Sequence, residues 1–233
     1  MKRLILASTS TVYGGEYLEY LLPTLKTFFK DIDSILFIPY ARPSGVSYDN
    51  YTKVVAKSFN TIGIKVDGIL EFENAEQAIE DAEAIFVGGG NTFVLVNELY
   101  QQKLMEVLKQ KINSGTPYLG TSAGSNIAGV SMQNTNDMPI VYPPSYTALG
   151  CIPFNINAHY LDADPLSKHK GETRETRIKE FHIYNTTPVL GLKEGSWLEV
   201  IENQVILRGG LSVRWFEKNK QPLEINSEEK INF

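Results

Sequence analysis

The chain has 233 residues, 22 basic against 27 acidic side chains for a net charge of −5, and is 42% hydrophobic and 21% charged, which fits one α/β domain over residues 1–233 and excludes disordered and fibrous classes. No basic stripe interleaved with aromatics follows a phosphate backbone, so nucleic acid is not an expected partner. No run reaches the roughly 18 apolar residues that a membrane span needs, so neither is a membrane.

The lone Cys151 closes no intrachain disulfide, and no Cys/His spacing resembles a zinc site. A reducing, cytoplasmic setting is expected, with no metal and no cofactor. Met1 to Ser8 turns too soon into Ser and Thr for a signal peptide, and Leu4 to Ala7 reads as a first buried strand.

Tyr17, Tyr20, Leu21, Leu25 and Phe28 then share one helical face. Ser34 to Pro39 is a second strand, Tyr51, Val54, Val55 and Phe59 mark a helix, and Ile64 to Ile69 is a third strand. A short helix over Ala75 to Ala82 precedes the strand Ala84 to Val87 and the turn Gly88-Gly89-Gly90-Asn91-Thr92. Two helical stretches, Thr92 to Leu99 and Lys103 to Ile112, lead to the strand Pro117 to Thr121. This alternation predicts a doubly wound, mostly parallel sheet with helices on both faces, its chemistry outside the carboxyl ends of the strands.

Ser131 to Ser145 reads as a long surface loop. Ile152 to Asn157 reads as a strand delivering His159, Gly171 to Phe181 as a charged helical segment, and Val189 to Leu192 as a short strand. Trp197 to Ile201 and Gln204 to Leu207 alternate as a C-terminal β-hairpin, with further edge strands at Ser212 to Glu217 and Leu223 to Ile225.

Gly120-Thr121-Ser122-Ala123-Gly124 is a G-x-S-x-G pattern between strand and helix, the form of a nucleophile elbow. Small neighbours let the backbone take a strained turn that exposes Ser122. A serine needs a base, and the base needs an orienting acid. Of three histidines, His159 follows a predicted strand in a loop, His169 lies in a Lys168-His169-Lys170 cluster, and His182 ends a helix. His159 is the candidate base; Asp137 and Glu194 are both candidate acids. The glycine turn, through Gly89 and Gly90, is the expected source of an oxyanion donor beside the N–H of Ala123.

Phe86-Val87-Gly88-Gly89-Gly90-Asn91-Thr92, Gly120 to Ser125, Asn136-Asp137-Met138-Pro139, Asn157-Ala158-His159, His169 to Arg174 and Gly191 to Trp197 together resemble the peptidase E (α-aspartyl dipeptidase) family of serine peptidases. The resemblance runs in order over nearly the whole chain. It implies a class I glutamine amidotransferase-like sheet with serine in place of cysteine, and cleavage of Asp-X dipeptides. It also implies Ser122 as nucleophile, His159 as base, Glu194 or Asp137 as acid, Arg174 as the grip on the aspartyl carboxylate and Asn91 as a positioning residue. The implied partner is a small acidic peptide, for a monomer or homodimer.

Three competing classes remain at this point. A cyanophycinase-like hydrolase of β-aspartyl-arginine polymer is similar in its elbow. A non-catalytic amidotransferase-like module is expected to lose the serine or histidine. An α/β-hydrolase esterase needs a histidine near the C-terminus, and none follows His182.

Overall fold

The computed structural model describes residues 1–164, 166 and 171–231; His169 lies outside them. Its first half is a repeated strand-helix pattern. The elements are β1 (Arg3–Ala7), α1 (Leu22–Phe28), β2 (Ser34–Ile38), α2 (Tyr48–Asn60), β3 (Lys65–Gly68), α3 (Ala75–Asp81), β4 (Ile85–Val87), α4 (Thr92–Gln101), α5 (Leu104–Asn113), β5 (Tyr118–Thr121) and α6 (Ala123–Asn126). The second half holds β6 (Asn155–Ala158), α7 (Arg174–Tyr184), β7 (Val189–Leu192), β8 (Trp197–Ile201), β9 (Gln204–Arg208), β10 (Val213–Phe216) and β11 (Leu223–Ile225).

Seven strands form one sheet in the order β3-β2-β4-β5-β1-β8-β9. The first five are parallel, while β8 runs antiparallel to β1 and to β9. Successive residues of a strand point to opposite faces, and the core divides accordingly. Leu4, Leu6, Leu36, Ile38, Ile85, Val87 and Tyr118 pack with α3, α4 and α5. Ile5, Ala7, Ile35, Phe37, Phe86 and Leu119 pack with α1 and α2. Both faces are thus covered, as the alternating pattern requires.

The expected hairpin of residues 197–207 forms, and docks on β1 to extend this sheet. The expected edge strands β10 and β11 instead join β7 and β6 in a second sheet of order β11-β10-β7-β6. In it β6 and β7 are parallel neighbours, with Ala158 opposite Leu192. The residues that follow these two strand ends therefore emerge side by side.

Two sequence expectations are corrected. The helix expected from Tyr17 begins only at Leu22, because Leu18 has φ +59 and Pro23, lacking an N–H, fits only a first helical turn. The segment 131–145 is not wholly a surface loop. Met132 and Asn134 are buried, and Asn134 Nδ2 donates to Ile156 O at 3.0 Å while Asn157 Nδ2 donates to Asn134 O at 2.7 Å. Asn136 Nδ2 donates to Ala158 O at 2.9 Å. Asparagine side chains thus stitch this segment to β6 and satisfy most of its buried polar groups, while Asn134 Oδ1 has no hydrogen-bond partner among the described residues.

Candidate active site

Ser122 sits between β5 and the single turn α6 with φ 53 and ψ −111, a conformation strained by about 1–3 kcal/mol for a residue with a Cβ. The two glycines make the turn possible. A Cβ on Gly120 would meet Gly124 O at 2.6 Å, and one on Gly124 would meet Val87 O at 2.1 Å. Around them the backbone is fixed. Ser122 N donates to Ala7 O at 3.0 Å, Ser125 Oγ to Ala7 O at 2.7 Å and to Gly120 O at 2.8 Å, and Tyr118 Oη to Gly124 O at 2.7 Å.

Ser122 Oγ lies 2.8 Å from His159 Nε2. His159 Nδ1 lies 2.6 Å from Glu194 Oε1. A proton on Nδ1, donated to Glu194, leaves Nε2 as the acceptor facing the serine hydroxyl. The order serine, imidazole, carboxylate is the one that activates a hydroxyl for attack on a carbonyl. The parallel pairing of β6 and β7 explains how residues 35 positions apart meet. A residue that sequence reasoning missed ties them to the main sheet: Ser8, at the end of β1, accepts from His159 N at 2.9 Å and donates to Leu192 O at 2.7 Å. The Ser/Thr run after β1 was its only signal.

Asp137 is elsewhere. Its Oδ2 accepts from Thr92 N at 2.8 Å, Thr92 Oγ1 at 2.5 Å and Thr135 Oγ1 at 2.9 Å. A carboxylate there complements the positive end of α4, and none of its hydrogen bonds goes to His159.

Asn91 is the N-cap of α4. Its Oδ1 accepts from Val94 N at 3.1 Å and its Nδ2 donates to Met138 O at 2.9 Å, so both ends of the amide are engaged within the protein.

The glycine turn lies directly on the serine: a Cβ on Gly89 would stand 3.0 Å from Ser122 Cβ. Gly90, with φ +147, lies so close to the β2 loop that a Cβ would meet Ala41 O at 2.1 Å. Of the two expected donors here, the N–H of Gly89 is already given to Tyr51 Oη at 3.1 Å. The N–H groups of Gly90 and Ala123 have no acceptor among the described residues. Tyr51 is a second residue missed from sequence, where it read only as one face of α2.

Arg174 opens α7, whose N-cap Thr173 accepts from Thr176 N. Its neighbours pair with others, Glu172 with Arg177 and Glu175 with Lys179. Arg174 makes no side-chain hydrogen bond or ion pair among the described residues. Partial burial, then Arg177, pull its guanidinium below the ordinary value, and Asp137 acts in the opposite sense. It lines a cleft of 420 Å³ with Leu161, Asp162, Asp164 and Thr173. His182 is buried and faces Thr187 O at 3.0 Å, away from this constellation. Among the described residues no cluster of His, Cys, Asp or Glu suits a metal, and no helix is long and apolar enough to cross a membrane.

A strained serine on a glycine-flanked elbow, an imidazole and a carboxylate define a hydrolase of the nucleophilic-serine type. Residues 4–208 match the family model described as Peptidase family S51, and the chain belongs to that family of peptidases. It is 46% identical over 222 residues to Peptidase E of Streptomyces coelicolor, covering 95% of this chain and 90% of that protein. It is 44% identical over 219 residues to the Probable alpha-aspartyl dipeptidase of Drosophila melanogaster, covering 93% and 90%. Among solved structures, a putative Peptidase E from Listeria monocytogenes superposes with a TM-score of 0.67 at 23% identity, over 90% of this chain and 98% of that one. A peptidase from an acI-B1 actinobacterium does so with a TM-score of 0.75 at 17% identity, over 100% and 97%. The expected α/β fold and the family resemblance both hold.

Proposed function

We propose that this serine peptidase hydrolyses the bond after an N-terminal aspartate in dipeptides, through an acyl-enzyme on Ser122. The supporting observation is the continuous series from Ser122 Oγ through both nitrogens of His159 to Glu194 Oε1. As the hydroxyl adds to the scissile carbonyl carbon, His159 Nε2 takes its proton and Glu194 holds the resulting imidazolium. The N–H groups of Gly90 and Ala123 receive the oxyanion; one such donor is worth about 2.7–4 kcal/mol of barrier. The imidazolium then protonates the leaving amine, and water repeats the sequence to release aspartate.

Arg174 receives the aspartyl side chain. Its fork forms two charge-assisted bonds to a carboxylate and only weaker ones to an amide, so Asn-X is a poor substrate. The names carried by the relatives, Peptidase E and alpha-aspartyl dipeptidase, support the same substrate class.

The test is a panel of Asp-X, Asn-X and Glu-X with wild type, Ser122→Ala and Arg174→Ala. Cleavage is expected to be confined to Asp-X, abolished by Ser122→Ala and stripped of selectivity by Arg174→Ala. Equal turnover of Asn-X by wild type removes the arginine assignment. Release of β-Asp-Arg from cyanophycin without turnover of Asp-Leu replaces the dipeptidase reading with the polymer one.

A further inference from the structure

Arg42, in the loop after β2, is a cation that the reaction described above does not use. Its backbone is anchored beside the glycine turn, since the preceding carbonyl, Ala41 O, accepts from Asn91 N at 2.7 Å and would clash with any Cβ on Gly90. Its guanidinium lies over the ring of Tyr51, 4.8 Å from the centroid. That same Tyr51 holds the N–H of Gly89, whose Cα packs against Ser122. Arg42 is therefore linked to the nucleophile through three contacts, by way of Tyr51 and Gly89.

The Arg42 Nε is buried without a hydrogen-bond partner, and the guanidinium enters no ion pair among the described residues. Stacking on an aromatic face orients a guanidinium while leaving its in-plane donors available. Beside it, residues 42–48 line a cleft of 430 Å³. A donor without an acceptor is a group awaiting a ligand as much as a defect; Arg42 lines this cleft, and its terminal nitrogens make no hydrogen bond among the described residues.

Position decides which ligand. Tyr51 belongs to the core layer of α1 and α2, while Asp137, whose charge Arg174 feels, lies at the start of α4 in the opposite layer. Arg42 is thus tied to the α1–α2 layer and Arg174 to a charge in the α4 layer, while Ser122 follows β5, the central strand of the seven. An Asp-X dipeptide carries two carboxylates, one on the aspartyl side chain and one at its C-terminus, with the scissile bond between them.

We infer that Arg42 binds the carboxylate of the leaving residue, its free C-terminus in particular, and so favours dipeptides over longer peptides. This rests on the aspartyl-dipeptidase reading and deepens it.

The test compares kcat/KM for Asp-Leu and Asp-Leu-amide, and for Asp-Glu-amide and Asp-Gln-amide, in wild type, Arg42→Gln and Arg42→Lys. Loss of a charge-assisted bond changes the ratio by roughly 10–100-fold. Wild type is expected to prefer the free acid by at least about tenfold, mainly in KM, with the preference reduced in Arg42→Lys and close to one in Arg42→Gln. Turnover of Asp-Leu-amide by each variant shows that it is folded, and the lysine variant carries the comparison if the glutamine one does not fold. A wild-type ratio near one, or a preference that survives in Arg42→Gln, overturns the inference. A preference confined to Asp-Glu-amide over Asp-Gln-amide overturns the terminal assignment in favour of an acidic leaving side chain. Failure of wild type on all four aspartyl substrates removes the dipeptidase reading itself, and this inference with it.

Discussion

The hydroxyl of Tyr51 accepts the N–H of Gly89 at 3.1 Å and closes back toward Gly89 O at 3.4 Å. A side chain from α2 thus fixes the turn that packs against Ser122 through Gly89 and whose next residue, Gly90, has an N–H with no acceptor among the described residues. Tyr51→Phe keeps the ring contacts to Phe37 and Tyr17, but removes the acceptor of Tyr17 Oη and orphans the Gly89 N–H, at a cost of about 1–3 kcal/mol. If the turn supplies an oxyanion donor, part of that loss falls on the transition state. The expected result is a roughly 5–30-fold fall in kcat with little change in KM, and a lowered Tm. A fall in Tm with kcat intact would make Tyr51 a purely structural support.

The two candidate acids separate by what each carboxylate touches. Glu194 contacts His159 Nδ1, whereas Asp137 contacts Thr92 and Thr135. Glu194→Gln is expected to cut kcat by roughly 10²–10⁴-fold by favouring the wrong tautomer, toward the lower end because the Glu194 side chain is 50% exposed and water competes for the ring. Asp137→Asn is expected instead to cost about 1–2 kcal/mol of stability at the α4 terminus, with a smaller loss of kcat. Thermal melts and steady-state kinetics on both variants decide it, and a larger kcat loss in Asp137→Asn than in Glu194→Gln reverses the assignment.

That distinction could not be read from the sequence, and the reason is physical. The elbow was legible because the contacts of Gly120 with Gly124 O and of Gly124 with Val87 O admit no Cβ and so leave glycines at fixed spacing around the serine in the sequence. The parallel sheet was legible because apolar runs alternate with helical periods at the right spacing. Strand partners are another matter. Nothing in Val213–Phe216 says whether it pairs with the β8–β9 hairpin or with β7, because period-2 alternation specifies a face and not a neighbour. The pairing of β6 with β7 is what brings Glu194 to His159, so the acid stayed open while the nucleophile did not. Asn91 and the asparagines of 131–137 illustrate the same limit. Their amides cap a helix and stitch a segment to β6, choices made by tertiary contacts that leave no periodic trace.

Asp162 lies three residues beyond His159, and Lys193 immediately precedes Glu194. Their ion pair at 2.7 Å, with Arg214 on the other carboxylate oxygen at 3.2 Å, ties together the two loops that carry base and acid. Burial alone would raise the Asp162 carboxyl, but the bonds from Lys193 and Arg214 overcome it and hold it below the ordinary value. A carboxyl so depressed contributes stability above its unfolded value of about 3.9 and loses it as pH falls through the lower folded value. With Asp162 42% exposed, the contribution to global stability is small. The effect is expected in alignment instead. Asp162→Asn and Lys193→Met should each lower kcat by roughly 3–30-fold with nearly unchanged Tm, and the double variant should be no worse than either single one. Additive losses would show that the two side chains act independently.

Cys151 is 1% exposed and unpaired, and burial pushes its thiol up to about 11, with Lys2 and Lys109 pulling the other way. The folded state therefore disfavours the thiolate relative to the unfolded chain, where the thiol titrates near about 8.5. Stability from keeping the thiol neutral is complete below that value and is lost as pH rises toward 11. Wild type should lose stability between these limits more steeply than Cys151→Ala, by on the order of 3 kcal/mol, in denaturant titrations at matched pH. The thiolate is the nucleophile in alkylation, so iodoacetamide should leave the native protein unmodified at pH near ~8 and label it once unfolded. Rapid native labelling, or parallel pH profiles for the two proteins, would show that the thiol is reached by solvent and that its burial does not govern its titration.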